Sequence, residues 1–186
     1  MRNVIYAINT TIDGCCDHTK FSPDPDDGVL EYFTHLTRNA DLQVFGRKTY
    51  QLMVPYWPEV LKNQSESNAD TEFARAFDSI NKIVFSRSLD IVEGQNTRIV
   101  RGNLHDEILK LKQEQGKYIL VGGVDIPSQL IDLGLVDEYL FVVHPIVLGE
   151  GRRVFEGINL QEKLRLKLVE STAFKSGCIA LRYLKQ

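Results

Sequence analysis

The chain opens on a short apolar run, Asn3 to Asn9 (NVIYAIN), with little alternation, the pattern of a strand buried on both faces. Asp13-Gly14 ends it, and a loop rich in proline and aspartate follows from Phe21 to Gly28 (FSPDPDDG). Asp26 or Asp27 is placed to cap a helix whose Val29, Leu30, Phe33 and Leu36 fall at three- and four-residue spacing. Leu42 to Phe45 is a second strand, and Arg47 to Met53 a short helix closed by Pro55. Pro55 to Asp70 reads as a long surface loop before a helix carrying Phe73, Ala74 and Phe77. Lys82 to Phe85 is a third strand, and Ile99-Val100 marks a fourth. Asn103 caps a helix with Leu104, Ile108 and Leu111 on one face, stopped by Gly116. Tyr118 to Val121 is a fifth strand, a helix with Pro127 early and Gly134 at its end follows, and Tyr139 to Val143 is a sixth strand ended by His144-Pro145.

The tail changes period. Leu164, Leu166 and Leu168 alternate with charged residues, as do Ile179, Leu181 and Tyr183, with Lys175-Ser176-Gly177 between the runs. That is an antiparallel hairpin. Strands alternating with helices and a closing hairpin imply an α/β domain over 1–186: a mostly parallel sheet, helices on both faces, and an antiparallel edge. In such sheets ligands bind beyond the carboxyl ends of the strands.

Composition narrows the classes. Hydrophobic residues are 43% and charged residues 25% of 186, ordinary values for one globular domain. A net charge of −3 argues against nucleic acid. No apolar run approaches the roughly 20 residues that span a bilayer, and the start does not read as a signal peptide. Three cysteines, Cys15, Cys16 and Cys178, form no disulfide framework and no metal spacing, so we expect a reducing, cytoplasmic setting and no metal. Cys15 and Cys16 read as small residues filling a loop near the core, with a redox role as the alternative.

Three turns at strand ends carry candidate chemistry. Gly46-Arg47-Lys48-Thr49 offers close backbone approach, a helix start, a hydroxyl and two cations, all suited to an anion; the same residues also suit a plain helix start with solvated cations. Gly122-Gly123-Val124-Asp125-Ile126-Pro127 permits a backbone that side chains would forbid, ahead of another helix. Ser86-Arg87-Ser88 supplies hydroxyls and a cation fit for a monophosphate. Together they suit a dinucleotide bearing an extra ribose phosphate, although G-x-G-x-x-G is absent. Asp13, at the end of the first strand, and His18, in the loop CCDHTK, are the candidate catalytic residues; Asp17 and Glu31 stand near the same end, and Arg152-Arg153 suit a substrate phosphate.

TIDG (Thr11 to Gly14), VFGRKTY (Val44 to Tyr50), KIVFSRSL (Lys82 to Leu89) and the segment from Ile119 to Phe155 resemble the dihydrofolate-reductase-like fold. Within it the chain looks like the reductase domain at the C-terminus of the bacterial bifunctional riboflavin-pathway deaminase–reductase and its free-standing relatives. The resemblance implies a sheet of about eight strands, NADPH as hydride donor, and a homodimer. It implies that Arg47, Ser86 and Arg87 lie near the ribose phosphate, with Arg47 telling NADPH from NADH. It puts Gly46, Lys48, Thr49, Gly122, Gly123, Val124, Asp125 and Ile126 around the pyrophosphate. Ala7 and Ile8 would flank the nicotinamide, and the loop Asp13 to Lys20 would be the one that closes over it. The reaction implied is reduction of 5-amino-6-(5-phosphoribosylamino)uracil; dihydrofolate reduction or nucleotide binding without catalysis are the alternatives. The pterin-gripping carboxylate of true dihydrofolate reductases would fall near Val29 or Leu30, both apolar, and the zinc deaminase signature is missing.

Overall fold

The N-terminal apolar run becomes the interior of a sheet. In the computed structural model, which describes residues 1–17, 19–21, 26–63, 67–94 and 96–186, β1 (Asn3–Thr11) lies between two parallel neighbours. These are β5 (Tyr118–Val121) and β6 (Glu138–His144). Val4, Ile5 and Tyr6 are fully buried, as an unalternating run requires. Beyond β5 lie β2 (Leu42–Gly46), β3 (Asn81–Phe85) and β4 (Thr97–Val100), all parallel. Beyond β6 lie β8 (Ile179–Lys185) and the edge strand β7 (Leu166–Ala173), paired antiparallel. The order β4-β3-β2-β5-β1-β6-β8-β7 is the mostly parallel eight-stranded sheet with an antiparallel hairpin that the sequence predicts.

Six helices among the described residues cover both faces. α5 (Leu104–Gln113) and α6 (Asp125–Asp132) bury Ile108, Leu111, Leu130 and Ile131 against Val4, Tyr6 and Ile8 on one face. α1 (Asp27–Arg38) covers the other face with Val29 against Ile5, Leu140 and Val142. α2 (Arg47–Met53) and α4 (Asn68–Ser79) enclose Phe45 and Val84 with Tyr50, Phe73 and Phe77. Asp26 is the α1 cap: its carboxylate accepts the Val29 N–H.

One expectation is corrected. Pro55 to Asp70 is not a continuous surface loop, because α3 (Tyr56–Lys62) folds within it and buries Val60. Pro58 is tolerated in the first turn, where its missing N–H is not needed. Trp57 packs on Phe73 at a centroid distance of 4.5 Å, which holds this short helix against α4. Residues 64–66 of that stretch, and 22–25 of the proline-rich loop, lie outside the described residues.

A buried ion pair fixes the register of the antiparallel edge. Glu138, 4% exposed, starts β6 and accepts from Arg182 of β8 at 2.5 and 2.8 Å. Removing one partner orphans a buried charge. Arg182→Ala is therefore expected to destabilise the fold by about 3 kcal/mol, the low end of that cost, since Arg182 is itself 28% exposed. Chemical denaturation reads this out. Glu138→Leu with Arg182→Met should recover most of the loss; a double variant as unstable as the single would show that packing, not charge, holds the edge.

Candidate functional site

The carboxyl ends of β1, β2 and β5 open into a cavity of about 350 Å³. Ile8 lines it from β1, Gly46 from the end of β2, and Lys48 and Thr49 from the first turn of α2. Gly122, Gly123 and Val124 form the turn from β5 into α6, and Asp125 and Ile126 follow. Cys16, Asp17, Thr19 and Arg152 close the remaining side. Gly123 has φ of +86°, and a Cβ there would come within 2.3 Å of Thr49 Oγ1. Only glycine lets the β5–α6 turn approach α2 this closely. The result is a cradle of backbone, one hydroxyl and one lysine, open to a ligand that needs close main-chain approach.

A second cavity, about 530 Å³, lies at the ends of β3 and β4. Phe85, Ser86 and Arg87 line it on one side, and Arg101, Asn103 and His105 on the other. Ile126 lines both cavities, so they adjoin at the start of α6. Arg101 organises the Ser86 turn. Its guanidinium donates to the carbonyls of Ser86 at 3.3 Å, Arg87 at 3.2 Å and Leu89 at 2.7 Å. Ser86 Oγ in turn accepts the N–H of Leu89 at 3.0 Å.

The electrostatics of the first cavity are set by two adjacent arginines that face different partners. Arg152 Nη2 meets Asp125 Oδ1 at 2.5 Å, and Arg153 Nη1 meets Asp13 Oδ2 at 2.8 Å. Asp13 also accepts the Thr11 hydroxyl at 2.6 Å and the Gly149 and Leu148 N–H groups at 2.8 and 3.3 Å. The Thr11 hydroxyl, the Gly149 amide and Arg153 together hold the Asp13 carboxyl well below the usual carboxylate range. The Arg152 guanidinium lowers Asp125, and the Thr19 hydroxyl lowers Asp17. Burial pushes the Cys16 thiol up to about 11, which makes it an unreactive lining group.

These contacts sort the expected residues. Ile8, Gly46, Lys48, Thr49, Gly122, Gly123, Val124, Asp125 and Ile126 share the first cavity, while Ser86 and Arg87 line the second. Ala7 faces the other side of the sheet, packed against the cluster of Ile5, Val29 and Leu140, because neighbours on a strand point to opposite faces. Arg47 lines neither cavity; its guanidinium lies 3.3 Å from Gln51 Oε1 on the outer side of α2. Asp13 lines neither cavity, and its carboxylate is engaged by Thr11, Leu148, Gly149 and Arg153. His18 lies outside the described residues. Arg153 pairs with Asp13, and Arg152 lines the first cavity. Arg101 was missed, although Val100-Arg101 repeats the pattern of Phe85-Ser86-Arg87 and Phe45-Gly46-Arg47, an apolar strand end running into arginine.

The sequence profile of the RibD C-terminal domain matches residues 2–180. The chain belongs to the RibD C-terminal domain family. The uncharacterized protein YyaP of Bacillus subtilis (strain 168) is 31% identical over 188 residues, covering 98% of this chain and 94% of its own. The diaminohydroxyphosphoribosylaminopyrimidine deaminase/5-amino-6-(5-phosphoribosylamino)uracil reductase of Thermotoga maritima superposes with a TM-score of 0.69 at 17% identity. That match covers 100% of this chain and 57% of the Thermotoga chain. Dihydrofolate reductase of Enterococcus faecalis, solved with NADP(H), gives a TM-score of 0.66 at 15% identity, covering 99% and 96% of the two chains. At those identities the two structures establish the fold, which is dihydrofolate-reductase-like.

For this RibD-type domain the depressed carboxylates carry a pH signature. Asp13, Asp17 and Asp125 titrate lower when folded than the ordinary 3.8. Their stabilisation is therefore fully present above pH 3.8 and is lost as pH falls through the folded values. Asp13→Asn should lower the melting temperature at about pH 7, and the gap to the native protein should narrow below about pH 4. A gap that stays constant across that range would rule out the carboxylate charge as the source.

Proposed function

We propose that the protein is an NADPH-dependent reductase of the RibD type. In this reading it acts on a small heterocyclic or ribosylamino-pyrimidine substrate such as 5-amino-6-(5-phosphoribosylamino)uracil. The observation that carries it is the pair of adjoining cavities at the strand ends. One has a glycine cradle with Lys48 and Thr49; the other has Ser86, Arg87 and Arg101. A dinucleotide with a ribose phosphate needs those two kinds of site side by side. The cradle at Gly123, which a single Cβ would fill, fits a pyrophosphate drawn close to main chain. Membership of the RibD family and the fold shared with a reductase solved with NADP(H) support the same reading.

The bound cofactor would supply the hydride; the protein would hold and orient it. Gly46, Lys48, Thr49 and the main chain of residues 122–126 would take the pyrophosphate, and Ile8 would lie against the nicotinamide end. Ser86 and Arg87, with Arg101 fixing their turn, would take the ribose phosphate. Discrimination against NADH thus passes from Arg47, outside both cavities, to Arg87. Dihydrofolate fits poorly, because Val29 and Leu30 of α1 pack into the apolar clusters and Asp26 is committed to Val29 N–H and the Ser176 hydroxyl. A homodimer in the cytoplasm belongs to this reading. The exposed edge strand β7, with Leu168 and Val169 about half exposed, is one surface a second copy could cover.

Titration with NADPH and NADH, followed by fluorescence, tests the proposal. NADPH should bind and NADH should bind more weakly. Arg87→Ala should weaken NADPH by about 1–3 kcal/mol, the range of a lost charge-assisted hydrogen bond, and leave NADH nearly unchanged. Arg47→Ala should have the smaller effect. Equal binding of both nucleotides, or binding of neither, would defeat the cofactor assignment. Steady NADPH oxidation with the aminouracil ribosyl phosphate, and none with dihydrofolate, would place the substrate class.

A further inference from the structure

Among the described residues the lining of the first cavity is formally neutral. Lys48 and Arg152 are its cations, and Asp17 and Asp125 its carboxylates. Asp125 is the first residue of α6, where the helix dipole favours a carboxylate. The same positive end is what an incoming anion would use, so a free Asp125 competes with the ligand for it. Arg152 resolves the conflict: its Nη2 lies 2.5 Å from Asp125 Oδ1. The guanidinium comes from a fixed point. The Arg152 N–H donates to Asp17 Oδ2 at 3.4 Å, and its carbonyl accepts the Cys16 N–H at 2.9 Å. Arg153 cannot take over this contact, because Asp13 holds it.

We propose that Arg152 is a positioning residue for a bound phosphate anion and acts through Asp125. By holding the Asp125 carboxylate it leaves Lys48 and the main chain of the Gly122-Gly123 turn to receive a pyrophosphate-class ligand. The identity of that ligand as NADPH rests on the reductase reading above; its charge does not. Removing Arg152 leaves one cation and two carboxylates on the lining, a formal charge of −1. It also costs a second cation in effect. Lys48 already lies within electrostatic reach of Asp125, and an unpaired carboxylate would draw its ammonium from the ligand. Neutralising Asp125 as well removes both penalties.

Four proteins decide the matter: wild type, Arg152→Ala, Asp125→Asn and the double variant. Each is titrated with inorganic pyrophosphate, ADP and NADPH at low and high salt, with thermal melting to check folding. Arg152→Ala should weaken all three ligands by about ten-fold at low salt, and less at high salt. Asp125→Asn should bind at least as tightly as wild type. The double variant should return to within about three-fold of wild type, a coupling that independent sites would not show. A double variant as weak as Arg152→Ala would overturn the proposal, since Arg152 would then touch the ligand itself. Loss of affinity in Asp125→Asn, or none in Arg152→Ala, would overturn it too. If Arg152→Ala does not fold, Asp125→Asn alone decides, with weakened binding the overturning result. A wild-type protein that binds pyrophosphate and ADP but not NADPH defeats the reductase reading alone; one that binds none of the three defeats both.

Discussion

The Asp13 carboxylate is where the sheet and its loops are joined. Asp13 stands just beyond β1, which is buried between β5 and β6, so its position is dictated by a strand held on both sides. It gathers the Thr11 hydroxyl, two main-chain amides from residues 148–149 and the Arg153 guanidinium. That fixes the loop after β6 over the end of β1. Cys15 then bridges to Arg153 in an extended pairing, and successive residues there point in opposite directions. With Arg153 turned to Asp13, Arg152 turns to Asp125 and the cavity. One anchored carboxylate thus determines where a second, 112 positions along the chain, finds its partner.

The fold was legible because its strands and turns are written locally. The unalternating run in β1, the glycines after β2 and β5, and the change to period two in the tail each reflect a constraint acting within a few residues. The lining of the first cavity was legible for the same reason: glycine-bearing turns at strand ends converge once the sheet is mostly parallel. Arg101 carried the same local signal, an apolar strand end followed by arginine, with Gly102 directly after it.

What could not be read depends on contacts distant in sequence. α3 is held by Trp57 on Phe73, and seven residues containing a proline give little helical signal of their own. The roles of Arg152 and Arg153 follow from carboxylates 27 and 140 positions away. Asp13 presented the pattern expected of an acid at a strand end, and its donors come mostly from the far loop. The opposite orientations of Ala7 and Ile8 follow from strand geometry, and the sequence contained them once β1 was recognised.

The second face of the sheet is built differently, and the contrast bears on what it could recognise. Around α1 the groups facing the sheet are apolar, and the carboxylate nearest the helix start is committed to capping and to Ser176. Polar groups on that face gather at the strand ends instead. His144, buried at the end of β6, meets Asn9 Oδ1 at 3.0 Å and Cys178 Sγ at 3.2 Å, with Phe21 edge-on at 5.0 Å. The strand ends on this face thus present hydrogen-bonding side chains and aromatic edges, with the carboxylate at the helix start already committed. The alternation of side chains along β1 puts Ile5 and Ala7 on this side and Tyr6 and Ile8 on the other, so the two sides of the sheet are lined independently.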